Sequence, residues 1–276
     1  MEFKTYLSER YASENTVKSY CYHVAKYLKW YEQTYGMRFE QLIRENILDY
    51  RAYLLNIKRL KPKTINSEFS ALKQFNDFLI EAGVQASLVI SDKDLMKVTD
   101  HHLSPAKTGR EEVSRIRQKI LMDSGRRDHA IVTVMAYTGL RVSEVISIEL
   151  DNINLEAKQI FIKGKGEKYR AVYLNNKVVH AIKNYLEERN SDSPYLFVSR
   201  NSSNNGKLSR STVNRFLKKY TSLSPHQFRH FFCTECKNAG MDLTTVAYLA
   251  GHNSIQTTMK NEHPSEKDID EKLNQL

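Results

Sequence analysis

Four short segments constrain this chain more than anything else in it. They are Thr138-Gly139-Leu140-Arg141, Gly164-Lys165-Gly166, His226-Gln227-Phe228-Arg229-His230, and Gly251-His252 followed by Thr257-Thr258. Each places a cation or histidine at a helix end or a chain reversal, where backbone groups are free to meet a ligand. Arg141 follows an apolar helical run (Ala130, Ile131, Val132, Val134, Met135) that Gly139 can terminate. A guanidinium there can fork onto two phosphate oxygens, and Glu144, three residues on, can orient it. Lys165 sits between two glycines that allow close backbone approach to a ligand. It caps a hairpin formed by the alternating runs 159–163 and 169–174.

Ser224-Pro225-His226-Gln227 reads as a capped helix start, with Ser as N-cap, proline at the first helical position and glutamine at the third. His226 then lies in the first turn with Arg229 on the same face, where a helix N-terminus favours an anion. His230 faces elsewhere and reads as structural. Leu249-Ala250-Gly251-His252 reads as a helix end with glycine at the cap. Each segment taken alone also has an ordinary reading: a salt bridge for Arg141, a flexible basic turn for Lys165, a satisfied structural histidine for His252. In series they point to a phosphate grip.

Charge agrees with that. The formal net charge is +10, with 27 basic against 19 acidic side chains in residues 101–276 and 15 against 13 in residues 1–100. A polyanionic partner is expected. No apolar run approaches a membrane span and the start is not a signal peptide, so no membrane partner is expected. Cys21 stands alone, and Cys233 and Cys236 form a single CxxC with too few companions for a zinc site. They read as semi-buried thiols in a reducing cytoplasm, with no metal and no cofactor.

The first 86 residues read as four helices, the second starting near Ser13 and carrying Val17, Tyr20, Val24, Tyr27 and Leu28 at helical spacing. A basic loop with Lys58, Arg59, Lys61 and Lys63 precedes Thr64, read as the cap of a helix with Ile65, Phe69, Leu72, Phe75 and Leu79 on its apolar face. That loop suits a phosphate. Residues 87–107, including His101 and His102, read as a linker. Thr108 and Glu111 read as a capping box that opens a second domain over 108–276. The fold class is mainly α with a small β-sheet, in two domains.

In order, spacing and context the four segments resemble the catalytic domain of the tyrosine recombinases, the lambda-integrase-like or Xer-like family. The resemblance covers essentially all of residues 108–276. Residues 1–86, with Ser13, Thr16 and Tyr20 and with Thr64-Ile65-Asn66, resemble that family's helical, SAM-like core-binding domain. The resemblance implies a mixed α/β catalytic domain in which Arg141 and Arg229 hold the scissile phosphate and His252 donates a further bond. Lys165 would be the general acid for the leaving 5′ oxygen, and His226 would assist proton transfer. A tyrosine would attack and store the bond as a 3′-phosphotyrosine, leading through a Holliday junction. Lys58, Arg59, Lys61, Lys63, Lys163, Lys168 and Arg170 would contact DNA. The implied partners are double-stranded DNA with inverted-repeat core sites and further copies of the chain, a dimer on a site and a tetramer in synapsis. The implied location is cytoplasmic and nucleoid-associated, and the implied type is a transposon, plasmid or phage resolvase.

This sequence departs from the family pattern where the nucleophile belongs. Three residues after Thr257-Thr258, where the family has its tyrosine, stands Asn261, and a carboxamide cannot replace a phenolate. Three readings stay open. The chain is a recombinase whose nucleophile has been substituted, or it is a site-specific DNA-binding protein that organises synapsis or transposition without cleaving, or Tyr248 or Tyr220 serves instead. Tyr173, where relatives often carry proline, is expected to be harmless. Beyond Ser265, the residues Ile269, Leu273 and Leu276 form one stripe of a short helix, expected to dock on a neighbouring subunit.

Overall fold

The computed structural model describes residues 2–11, 13–98, 108–163, 169–199, 206–251 and 266–276. It divides into two compact units, Met1–His102 and Leu103–Leu276.

The first unit is built on α1 (Phe3–Arg10), α2 (Glu14–Tyr35), α3 (Arg44–Ala52) and α4 (Pro62–Glu81), the four helices expected. The long amphipathic helices α2 and α4 bury Val24, Tyr27 and Trp30 against Phe69, Leu72 and Phe75. Gly36, at φ 67°, turns the chain out of α2 in the left-handed conformation that glycine adopts without penalty. Helix α3 runs into a π-helical turn, Tyr53–Ile57. The Leu60 N–H donates back to the Leu54 carbonyl at 3.0 Å and Arg59 takes a positive φ of 50°. This fixes the basic loop while Leu60 packs on the core. Thr64 is not the cap expected: α4 starts at Pro62, with Lys61 at the N-cap position, because proline is pre-set for the first helical position.

The linker expected over 87–107 is shorter than the sequence suggested. Ile90 is buried and packs with Val89, Leu95 and Met96 on the first core. The Asn76 side-chain oxygen accepts from the N–H groups of Val89 at 2.7 Å and Ile90 at 3.2 Å. Asn66 pairs with both the N–H and the carbonyl of Met96. Two asparagines on α4, with a single 3-10 turn at Asp92–Asp94, thus satisfy much of this segment's backbone, which is why it lacks the period of a longer helix or a strand. Residues 99–107, with His101 and His102, lie outside the described residues.

The second unit holds α5 (Arg110–Ser124), α6 (Arg126–Thr138), α7 (Val142–Val145), β1 (Ile153–Asn154), β2 (Gln159–Lys163), β3 (Tyr169–Tyr173), α8 (Asn176–Glu188), α9 (Arg210–Tyr220), α10 (Pro225–Asn238), α11 (Leu243–Ala250) and α12 (Glu266–Asn274). The unit is mainly helical with one small sheet. That antiparallel sheet has strand order β1-β2-β3 and register Ile160↔Val172 and Ile162↔Arg170. From Ala130 to Thr138 helix α6 is buried on every side, packed by α5, α8 and α10. The rigid central helix therefore ends at Gly139, just before Arg141. Thr108 caps nothing: α5 begins at Arg110 after Gly109.

Helix α12 buries Ile269, Leu273 and Leu276 in its own unit's core, so the expected docking on a neighbour is not what this chain shows. The Asp270 carboxylate takes the Lys158 ammonium at 2.9 Å, Asn175 Nδ2 donates to the Leu273 carbonyl at 3.2 Å, and the Asn176 N–H donates to Asn274 Oδ1 at 3.0 Å. A helix this short is marginal alone, and the nearest suitable apolar surface is its own domain.

Candidate phosphate-binding site

Gly139 ends α6 at φ 65°, and a Cβ there would collide with the Phe232 ring of α10. Glycine is therefore required both for the turn and for the approach of α6 to α10. The close approach lets Arg229, one turn into α10, donate from Nη1 to the Gly139 carbonyl at 2.7 Å. Arg229 is only 5% exposed. Burial, and then the nearby Arg141 guanidinium, depress its pKa, so the site holds two like charges close together.

Arg141 opens α7 in a reciprocal cap with Glu144. Its N–H donates to Glu144 Oε2 at 2.7 Å and its Nη1 to Oε1 at 3.2 Å. Both Nη atoms also reach the Gly251 carbonyl at 3.4 Å. Arg170, on β3, donates from Nη1 to the same Glu144 oxygen at 3.1 Å. Among the described residues its buried Nε and Nη2 have no hydrogen-bond partner, and a Cβ on Gly251 would lie 2.7 Å from its guanidinium carbon. Burial raises the Glu144 pKa, but the hydrogen bond and charge of Arg170, with Arg141, outweigh it and hold the carboxylate below its usual range. One carboxylate thus orients two arginines and neutralises one of three.

The sequence placed His226 and Arg229 in the first turns of a capped helix, and α10 has that start. Ser224 and Gln227 form the reciprocal capping box behind Pro225. The His226 pKa is lowered by burial and then by His230, Arg229 and Arg141, and its ring stands edge-on to His230 at 4.5 Å. Arg141, His226 and Arg229 converge on one cleft of about 260 Å³, whose wall also includes Arg210 and Asn214 of α9. Those two were missed in the sequence. The signal was there: α9 carries Arg210, Arg215, Lys218 and Lys219 and no acid.

Arg170, expected to contact DNA, is partly buried and bonded to Glu144 beside Arg141. Lys163 ends β2 and is exposed. Lys58, Arg59, Lys61 and Lys63 lie in the first unit around the π-turn, with Lys58 Nζ 5.5 Å from the Tyr53 ring centroid. Lys165, Lys168, His252 and Asn261 fall outside the described residues, as do Thr257 and Thr258. Among the described residues there is no group of three His, Cys, Asp or Glu side chains suited to a metal ion. Cys236 is buried and Cys233 partly so, and burial pushes both thiols up, away from the thiolate form that redox chemistry needs.

This geometry meets two family patterns. That of the phage integrase family matches residues 108–267, and that of the phage integrase N-terminal SAM-like domain matches residues 1–83. The chain belongs to the phage integrase family of tyrosine recombinases. The recombinase is 40% identical over 282 residues to the TnP I resolvase of Bacillus thuringiensis, covering 100% of this chain and 98% of that one. It is 34% identical over 263 residues to the tyrosine recombinase XerA of Pyrococcus furiosus, covering 93% and 86%. Among solved structures it resembles the Tn1549 transposon integrase in complex with circular intermediate DNA, at a TM-score of 0.67 and 19% identity over 97% of this chain and 96% of that one. It also resembles the XerH recombinase bound to its difH substrate, at 0.64 and 20% over 92% and 77%. At those identities the likeness is one of fold.

Proposed function

We propose that this recombinase binds duplex DNA at a specific site and holds one backbone phosphate between Arg141 and Arg229, in the geometry of strand exchange. The convergence of the two guanidiniums with His226 on one cleft carries this reading. Two arginines held close and short of counter-charge form a preorganised receptor for an oxyanion, and such groups stabilise the extra charge of a pentacoordinate phosphorus without reorganising. Lys165 is assigned proton donation to the leaving 5′ oxygen, and His252 a further hydrogen bond. Lys58, Arg59, Lys61, Lys63, Lys163 and Lys168 are assigned backbone contacts that set orientation. The acting assembly is taken as a dimer on an inverted-repeat site and a tetramer in synapsis, on nucleoid DNA. The core-binding part is assigned to the first unit and the catalytic part to residues 108–276. Relatives named resolvase and integrase support strand exchange in a mobile element.

Asn261 carries the second half of the proposal. With a carboxamide at the nucleophile position the chain binds and does not cleave. Asn261→Tyr, incubated with a duplex enriched from a random library by the full chain, is expected to form a covalent protein–DNA adduct that survives denaturing electrophoresis, while the native chain forms none. No adduct from Asn261→Tyr would instead establish the rival reading, a DNA-binding protein that organises synapsis without chemistry. An adduct from the native chain would overturn the assignment of Asn261.

A further inference from the structure

Helix α9 has a second cavity on the side away from the cleft. Its volume is about 250 Å³, and its lining includes Ser124 and Arg127 from the α5–α6 junction and Thr212, Arg215, Lys219 and Tyr220 from α9. Three cations meet there against one carboxylate, Asp128, which is 2% exposed and held by Arg127 Nε at 2.8 Å and Ser124 Oγ at 2.5 Å. Arg127 is fixed in place, because its Nη1 also donates to the Val198 carbonyl at 2.9 Å. Arg215 and Lys219 are exposed, one helical turn apart, and α9 contains no acidic residue to hold them. The Tyr220 hydroxyl adds a neutral donor, while the Thr212 hydroxyl is shared with Ser209 Oγ at 2.9 Å. The space admits a phosphate group with several waters, at about 30 Å³ for each water.

The two cavities are related through the helix between them. At about 100° per residue, Arg210 and Asn214 lie on one flank of α9 and Thr212, Arg215 and Lys219 on nearly the opposite flank. Val213 and Leu217 point into the core, while Ser211 and Lys218 point outward and are exposed. A helix with its side chains is about 10–12 Å across. The major groove of B-DNA is about 12 Å wide and admits one helix, with a phosphate backbone along each edge. An anion receptor on each flank of one exposed helix matches that spacing.

We infer that the cavity bounded by Arg127, Arg215 and Lys219 is a second phosphate-binding site, taking a backbone phosphate of the strand opposite the one held by Arg141 and Arg229. This rests on the DNA-binding reading above. The second grip adds a fixed point on the opposite strand, close to the cleft, to the backbone contacts that orient the duplex. It does so through charge at positions far from any bond that breaks.

The test uses the full chain and the duplex it enriches from a random library. Arg215→Gln with Lys219→Gln is expected to weaken binding about tenfold or more, and to flatten the log-affinity against log-salt slope by about one to two, as loss of two phosphate contacts requires. Both positions are exposed, so the melting temperature is expected to stay unchanged. Arg215→Lys with Lys219→Arg, which keeps both charges, is expected to retain binding and guards against a purely structural effect. Single methylphosphonates scanned along both strands locate the contact. One position is expected to weaken the native chain and not the double Gln variant, and to lie on the strand opposite the position that ceases to matter in Arg141→Ala. Affinity within twofold of the native chain with an unchanged slope overturns the site, as does a coupled position on the same strand. A native chain whose duplex binding does not respond to salt overturns the DNA-binding reading itself, before any variant is compared.

Discussion

Glu68 in the first unit and Arg170 in the second are both charged, the one buried and the other partly so, and the protein treats them in opposite ways. Glu68, 1% exposed, has each oxygen engaged, one by Lys26 Nζ at 2.5 Å and the other by Tyr50 Oη at 2.6 Å. Arg170 has one nitrogen on Glu144 and two buried without a partner among the described residues. Leaving a buried donor unsatisfied costs about 1–3 kcal/mol. The first unit's network is complete and the second unit's is short of acceptors, and on the reading proposed above that shortage is filled by an anion. Satisfaction separates the two groups more sharply than burial does.

The largest effect that could break this contrast is on chemistry. In an Asn261→Tyr background, Arg141→Ala and Arg229→Ala are each expected to cut adduct formation by about 10²–10³-fold, the usual loss when one donor to a developing oxyanion is removed. The same variants should still fold, as judged by urea unfolding. Adduct formation at the parent rate in either variant would remove that arginine from the grip.

Next comes stability. Glu68→Ala is expected to destabilise the first unit by about 2–4 kcal/mol, since it strands a buried tyrosine hydroxyl and a partly buried ammonium. Arg170→Met, which removes two unsatisfied donors together with the Nη1 bond to Glu144, is expected to cost less, about 1–2 kcal/mol, because Arg141 still holds the same carboxylate. Equal losses in equilibrium unfolding would show that both networks are structural.

Acidification sharpens the picture by a smaller margin. Burial, with Arg117 and His180 nearby, lowers the His129 pKa from 6.5 to about 4. The native state therefore keeps this ring neutral while the unfolded chain binds a proton. The associated stability is fully present above pH 6.5 and is lost as pH falls from 6.5 toward 4, by on the order of 1–2 kcal/mol after solvent screening is allowed for. His129→Asn should flatten that part of the pH–stability curve, and a curve that keeps its slope would assign the loss to other groups.

The smallest effect separates two glycines of nearly equal φ. Gly36→Ala meets open space and should cost about 1 kcal/mol from backbone strain alone. Gly251→Ala meets the same strain and also strikes the Arg170 guanidinium, so it should cost more and weaken phosphate binding as well. A filter-binding assay that finds the Gly251→Ala variant unimpaired would detach Gly251 from the site.

Much of this was legible in the residues. Capping chemistry announced α10 correctly, since Ser224, Pro225 and Gln227 are a local code that tertiary structure did not overrule. Gly139 and Gly251 were read as helix ends for the same reason, and both take the left-handed conformation. Errors came where satisfaction is non-local. Residues 87–98 looked like a linker because their backbone partners, Asn66 and Asn76, lie on a helix earlier in the chain. Arg170 looked like a surface cation because a basic strand residue gives no sign of which face will be covered. The destination of α12 was misjudged because an apolar stripe specifies that it will be buried and not by whom.

The Gly251 carbonyl that rests against both Nη atoms of Arg141 is a placeholder. It occupies, loosely and with a weak neutral acceptor, the seat that the proposed function gives to a phosphate oxygen. Substrate therefore enters by exchange and not by simple addition: one acceptor leaves as a better one arrives, and only the difference in strength appears as affinity. That difference favours a charged oxygen over water or a neutral carbonyl, so a weak occupant holds the seat only until a stronger one competes. Gly251 is followed directly by His252 in the chain, so on the proposed reading the carbonyl that yields to a phosphate and the residue assigned a further bond to it are joined by a single peptide.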